Sequence, residues 1–125
     1  MEIIETLPFI YVAACIGVIG FQFALMAGAP WGHLTQGGQH QGALPTRNRV
    51  AAFISVFIVA SMAMAVTSAA GFWPRWPVWT AWVTVALQFI IALVNWITPS
   101  KPERRLWGPI ESAMFVTAAL VVFRA

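Results

Sequence analysis

Charge is scarce in this chain: its 125 residues include only seven Lys or Arg and four Asp or Glu. A soluble domain of that length needs a solvated, charged exterior, so a water-exposed globule and a disordered tail are both excluded. Cysteine is nearly absent as well. Cys15 stands alone, so no intrachain disulfide can form, and its thiol reads as a buried structural group. Both histidines, His33 and His40, lie outside the apolar runs, which excludes a bis-histidine haem or a histidine-held chlorophyll within them. No Cys, Asp or Glu falls between residues 30 and 49 to join those histidines in a tetrahedral set, so neither a metal nor a cofactor is expected. The glycines there, Gly32, Gly37, Gly38 and Gly42, lack the Lys-Ser/Thr ending of a phosphate loop. A net charge of +3 comes with no basic block, so no nucleic acid is expected as a partner.

Apolar residues fill the chain instead, at 60% of the total with 14% aromatic. They fall into four runs, about 7–29, 50–71, 78–98 and 101–123, in a single domain. About 20 residues rising 1.5 Å each cross a hydrocarbon core of roughly 30 Å, so each run is long enough to span a bilayer. The predicted fold is all-α, a membrane four-helix bundle of two hairpins with the same orientation, whose first partner is the lipid bilayer. Ser100 reads as the cap of the fourth helix, with Glu103 capping back and Pro102 tolerated in the first turn. Pro109 sits further in, where a bend is expected.

Orientation follows from the basic residues, which resist translocation. Arg47, Arg49, Lys101, Arg104 and Arg105 fall on one side, and only Arg75 and Arg124 on the other. Loops 30–49 and 99–106 are therefore expected in the cytoplasm and both termini outside. Trp73, Trp76 and Trp79 would sit in the outer headgroup layer, and Trp31, Trp96 and Trp107 in the inner one. Ala27-Gly28-Ala29 has the look of a signal-peptidase site and Val12-Ala13-Ala14-Cys15 of a lipoprotein box. Cleavage is not expected at either, because Glu2 and Glu5 stand where such signals carry Lys or Arg. The stretches from Pro45 to Val50 and from Pro102 to Leu106 can be laid side by side as traces of a duplication, but proline and arginine are ordinary at an inner helix start.

Polar residues inside hydrocarbon are costly and mark the places where chemistry can occur. Gln22, Ser55, Asn95 and Glu111, one from each helix, all reach the same third of the membrane. Gln88, seven residues before Asn95, extends that cluster along one face of its helix. Two accounts of the cluster remain open: a proton or solute site centred on Glu111, or hydrogen-bonding glue with Glu111 reaching an interfacial arginine. A second pattern is the stripe Ala13, Gly17, Gly20, Ala24 and Gly28, repeating at three- and four-residue steps. It suits close helix packing, within the bundle or against a partner, and Gln22 points about 200° away from Gly20. Packing within the bundle is the expectation. The loop from Pro30 to Arg49 is longer than a helix hairpin needs, and its order cannot be read from composition.

Gly28-Ala29-Pro30-Trp31-Gly32, then Gly37-Gly38, Leu44-Pro45 and Arg49-Val50, with Ser100-Lys101-Pro102-Glu103-Arg104 before Leu106-Trp107, resemble a group of short bacterial four-helix integral membrane proteins of unassigned activity. The resemblance implies a four-helix topology in a bacterial inner membrane and no chemistry. The length is also close to that of small multidrug transporters, whose mechanism uses a deep glutamate in the first helix; here Glu2 and Glu5 precede the span. The expected function is a non-catalytic membrane protein that forms a homo-oligomer or joins a heteromeric membrane complex as an accessory subunit. The alternative is a small proton-coupled transporter or channel built on Glu111, Asn95, Gln88, Gln22 and Ser55. A membrane enzyme using His33, His40 and the inner arginines is the remaining option.

Overall fold

The computed structural model describes residues 3–125, with side chains from residue 5 onward. Four helices account for most of it: α1 (Ile3–Met26), α2 (Thr46–Ala69), α3 (Val78–Ile97) and α4 (Lys101–Phe123). Each is long and apolar enough to cross a membrane. Helix α1 packs chiefly on α2, and α3 chiefly on α4, so the chain is two hairpins laid side by side through α1 with α4 and α2 with α3. One end of the bundle carries residues 27–45 and 98–100 and is called the loop end. The other carries residues 70–77 and is called the turn end.

Local chemistry sets where each helix stops. At the end of α1 the Ala29 N–H donates to Ala24 and the Gly28 N–H to Leu25, with Gly28 at φ +98°, a Schellman stop that only glycine adopts without strain. The same pair of bonds closes α2, from Phe72 to Thr67 and from Gly71 to Ser68, with Gly71 at φ +92°. Both helices therefore end two or three residues before their apolar runs do. Ser100 caps α4 as expected, its Oγ accepting from the Glu103 N–H at 3.2 Å. Glu103 does not cap back: the Ser100 N–H goes to the Thr98 hydroxyl, and Thr98 donates to Glu103. Threonine two residues upstream intercepts the reciprocal bond of the capping box.

The core is in two parts, a small cluster of Leu25, Leu44 and Ala52 at the loop end and a larger one nearer the turn end. Tyr11, Cys15 and Val18 of α1 meet Val66 of α2 and Met114, Ala118 and Val121 of α4. Outside it, large apolar side chains face away from the bundle on every helix, among them Ile16, Phe57, Val83 and Val116. An apolar exterior around backbone satisfied within helices is what a lipid environment requires.

The small-residue stripe corrects an expectation. Ala13, Gly17 and Gly20 lie on the exposed face of α1, and a Cβ built at Gly17 or Gly20 would meet no heavy atom within 4 Å. They do not pack within the bundle, because the opposite face of α1, carrying Tyr11, Cys15, Val18 and Leu25, takes that role. Ala24 is half-buried, and Gly28 serves as the helix stop beside the Arg49 guanidinium.

Candidate functional site: a cavity at the loop end

Between the helices, from mid-bundle to the loop end, lies a cavity of about 670 Å³. Gln22, Ser55, Gln88, Asn95 and Glu111 all line it. The spacing that placed one polar group from each helix at a common depth thus brings them to a common space. They play different parts in it. Gln88 and Glu111 are buried and joined, the Gln88 amide donating to Glu111 Oε2 at 2.5 Å and more distantly to the Glu111 carbonyl at 3.4 Å. Asn95 donates to the carbonyl of Ile91 at 2.8 Å and Ser55 to that of Ala51 at 3.0 Å, each one turn back on its own helix. Gln22 is half-buried on the wall and makes no hydrogen bond among the described residues.

Two residues absent from the predicted cluster belong to it. Tyr11, fully buried, donates its hydroxyl to Gln88 Oε1 at 2.8 Å, so the Gln88 amide is held on both sides, by a donor from α1 and an acceptor on α4. That arrangement fixes which way the amide points. The signal was present in the spacing: Tyr11, Cys15, Val18 and Gln22 stand at i, i+4, i+7 and i+11, one face of a helix. Glu103 is the second. It is 7% exposed, lines the cavity nearer the loop end, and takes its hydrogen bonds from Thr98 Oγ1 and, at 3.4 Å, from the Gly37 N–H. Its place in the capping pattern concealed it.

The long loop covers this end of the cavity and is ordered. Two 3₁₀ turns, Gly32–Leu34 and Gln36–Gly38, are tied back by a bond from the Gly32 N–H to the Gly42 carbonyl at 2.9 Å. Further ties run to the second hairpin and to α2. Trp107 Nε1 donates to the Leu34 carbonyl at 3.0 Å, and Ser100 Oγ to the His33 carbonyl at 2.7 Å. Gln36 and Asn48 exchange bonds, the Asn48 amide to Gln36 Oε1 at 2.6 Å and the Gln36 amide to the Asn48 carbonyl at 3.0 Å. Phe21 stacks on Trp31 and takes the edge of Trp107, closing the wall between α1 and α4. Thr35, Gln36 and Gly37 form the floor.

Among the described residues no three His, Cys, Asp or Glu side chains gather as a metal site would require. The cavity is therefore a space with a carboxyl at its closed end, a second near the loop, neutral amides and hydroxyls between them, and an otherwise apolar wall. Fold and composition together define a multi-pass helical membrane protein. No family model, curated protein or solved structure matches the chain.

Proposed function

We propose that this chain is a small membrane carrier that binds a solute, with proton coupling through Glu111, in the cavity between its four helices. The observation that supports this reading is the convergence of Tyr11, Gln22, Gln88, Asn95 and Glu111 on one cavity of about 670 Å³, a volume suited to a small-molecule ligand. A purely structural amide network would have no need of such a space. Intramembrane carboxyls are expensive, and Glu111 lies beside a cavity with, among the described residues, only the neutral Gln88 amide for a side-chain partner. The other titratable groups near it are Tyr11 and Cys15 of α1, both in the buried core, and among the described residues no Lys, Arg or His lines the cavity.

Five basic residues flank the loop end and two the turn end, which supports a loop end in the cytoplasm and both termini outside. The resemblance to bacterial proteins supports an inner membrane. A cysteine at exposed Lys101 would then react with an impermeant maleimide in inverted vesicles and stay silent in intact cells.

The carrier reading is tested in proteoliposomes carrying a pH gradient. Glu111→Gln should abolish proton flux while the protein stays folded and monodisperse. Flux equal to wild type would make the carboxyl a structural group.

A second reading keeps the expected role in a homo-oligomer or heteromeric complex, and one observation favours it: Ala13, Gly17 and Gly20 stand on the exposed face of α1, where a second helix could approach closely. Gly17→Leu should then shift native mass spectra of the gently extracted protein from assemblies to monomer. The two readings are compatible, since the stripe and the cavity lie on opposite sides of α1.

A further inference from the structure

We infer that the cavity takes a hydrophobic organic cation, which enters sideways from the bilayer between α2 and α3. This rests on the carrier reading and adds to it the class of solute and the route. Charge supplies the first argument. Glu103 and Glu111 both line the cavity, and no basic side chain among the described residues does. Every donor they use is neutral: Gln88 for Glu111, Thr98 and the Gly37 backbone for Glu103. A carboxylate kept from water by neutral donors alone is under-compensated, and a cation beside it replaces what hydration would have given.

One of those oxygens is free to receive it. Glu111 Oε2 takes the Gln88 amide, whereas Oε1 takes no donor from the described residues. Among the described residues no buried side-chain oxygen is left without a partner, so Oε1 opens onto the cavity that Glu111 lines.

The remaining wall selects an apolar body for that charge. Val18, Met62, Ile91 and Met114 alternate with Phe21 and Trp107 around the space. Aliphatic surface rewards a desolvated ligand, and aromatic faces attract a cation in addition. A small hydrated ion would leave most of this wall unused.

The route follows from which wall residues are also exposed. They are Ile58 on α2, at 43%, and Val94 and Ile97 on α3, at 54% and 70%, with Pro99 at the interfacial rim. The floor is closed by the loop, and the wall between α1 and α4 by Phe21 and Trp107. The mouth therefore has apolar lips between α2 and α3 and begins at the level of the headgroups, where an amphipathic cation accumulates.

The test uses two ions of one shape and opposite charge. Full-length protein in nanodiscs is dialysed against tetraphenylphosphonium or tetraphenylborate, and partition into empty discs is subtracted. Saturable binding of the phosphonium alone, weakened at least tenfold by Glu111→Gln and several-fold by Glu103→Gln, is the expected result. The second substitution serves if the first disturbs folding, which circular dichroism of each variant checks. Equal binding of both ions, or affinity for the phosphonium unmoved by either substitution, overturns the cation class and leaves a solute cavity standing. No saturable binding of either ion by the folded protein overturns the carrier reading and this inference with it. Val94→Trp crowds one lip of the mouth and should slow phosphonium association several-fold in stopped-flow Trp fluorescence. An unchanged association rate overturns the lateral route.

Discussion

The closed end of the cavity and its mouth are built from similar residues put to different use. Gln88 and Asn95 are amides seven residues apart on the same face of α3. Gln88 reaches two other helices, accepting from Tyr11 of α1 and donating to Glu111 of α4, and is 1% exposed. Asn95 lines the cavity but returns its amide to its own helix at Ile91, as Ser55 across the mouth returns its hydroxyl to Ala51. An intramembrane amide that ties helices together and one that merely satisfies itself cannot be told apart by residue type. The difference lies in whether the neighbouring helix offers a partner at the same depth. The first kind stabilises the bundle, and the second leaves hydrogen-bonding capacity available to a ligand without a stability cost.

Gln88→Leu gives the largest expected break in this contrast. It strands the Tyr11 hydroxyl and the Glu111 carboxyl together, and should lower stability by about 1–3 kcal/mol in reversible unfolding from mixed micelles. Gly38→Ala acts on the cover instead. Gly38 has φ +69°, and an added Cβ would lie 2.6 Å from that of Ser100, so the loop should lift at a cost of about 1–2 kcal/mol. Faster hydrogen exchange confined to residues 30–45 is the readout. Tyr11→Phe removes a single bond and leaves Gln88 Oε1 without a donor, for a loss of about 0.5–1.5 kcal/mol in the same unfolding measurement. Smallest of all should be Asn95→Leu and Ser55→Ala, each within about 0.5 kcal/mol of the parent, because each removes only a bond to its own helix. Equal losses from Gln88→Leu and Asn95→Leu would erase the distinction between the two ends.

The four helices and the five polar wall residues were legible because depth in a membrane follows directly from position along an apolar run. Facing was less legible. The stripe Ala13, Gly17 and Gly20 defines a face of α1 by spacing, but spacing alone does not say whether that face meets a helix or lipid. Burial answers through Tyr11, Cys15 and Val18 on the other side. Glu103 was hidden for a different reason: its pattern with Ser100 matched a local cap, and Thr98 diverted it. Order in the long loop was out of reach from composition. Its decisive partners are backbone carbonyls of Leu34 and His33 taken by Trp107 and Ser100, and carbonyls carry no residue-specific mark.

Those same ties have a consequence for biosynthesis. The loop of the first hairpin is complete once Arg49 is made, yet Ser100, Glu103 and Trp107, which hold it, are made only with the second hairpin. At roughly 5–20 residues per second, the nascent chain spends several seconds with the first hairpin finished and its loop unfastened. During that interval the site lacks both of its carboxyls, and the segment that becomes its floor waits for its anchors in the second hairpin.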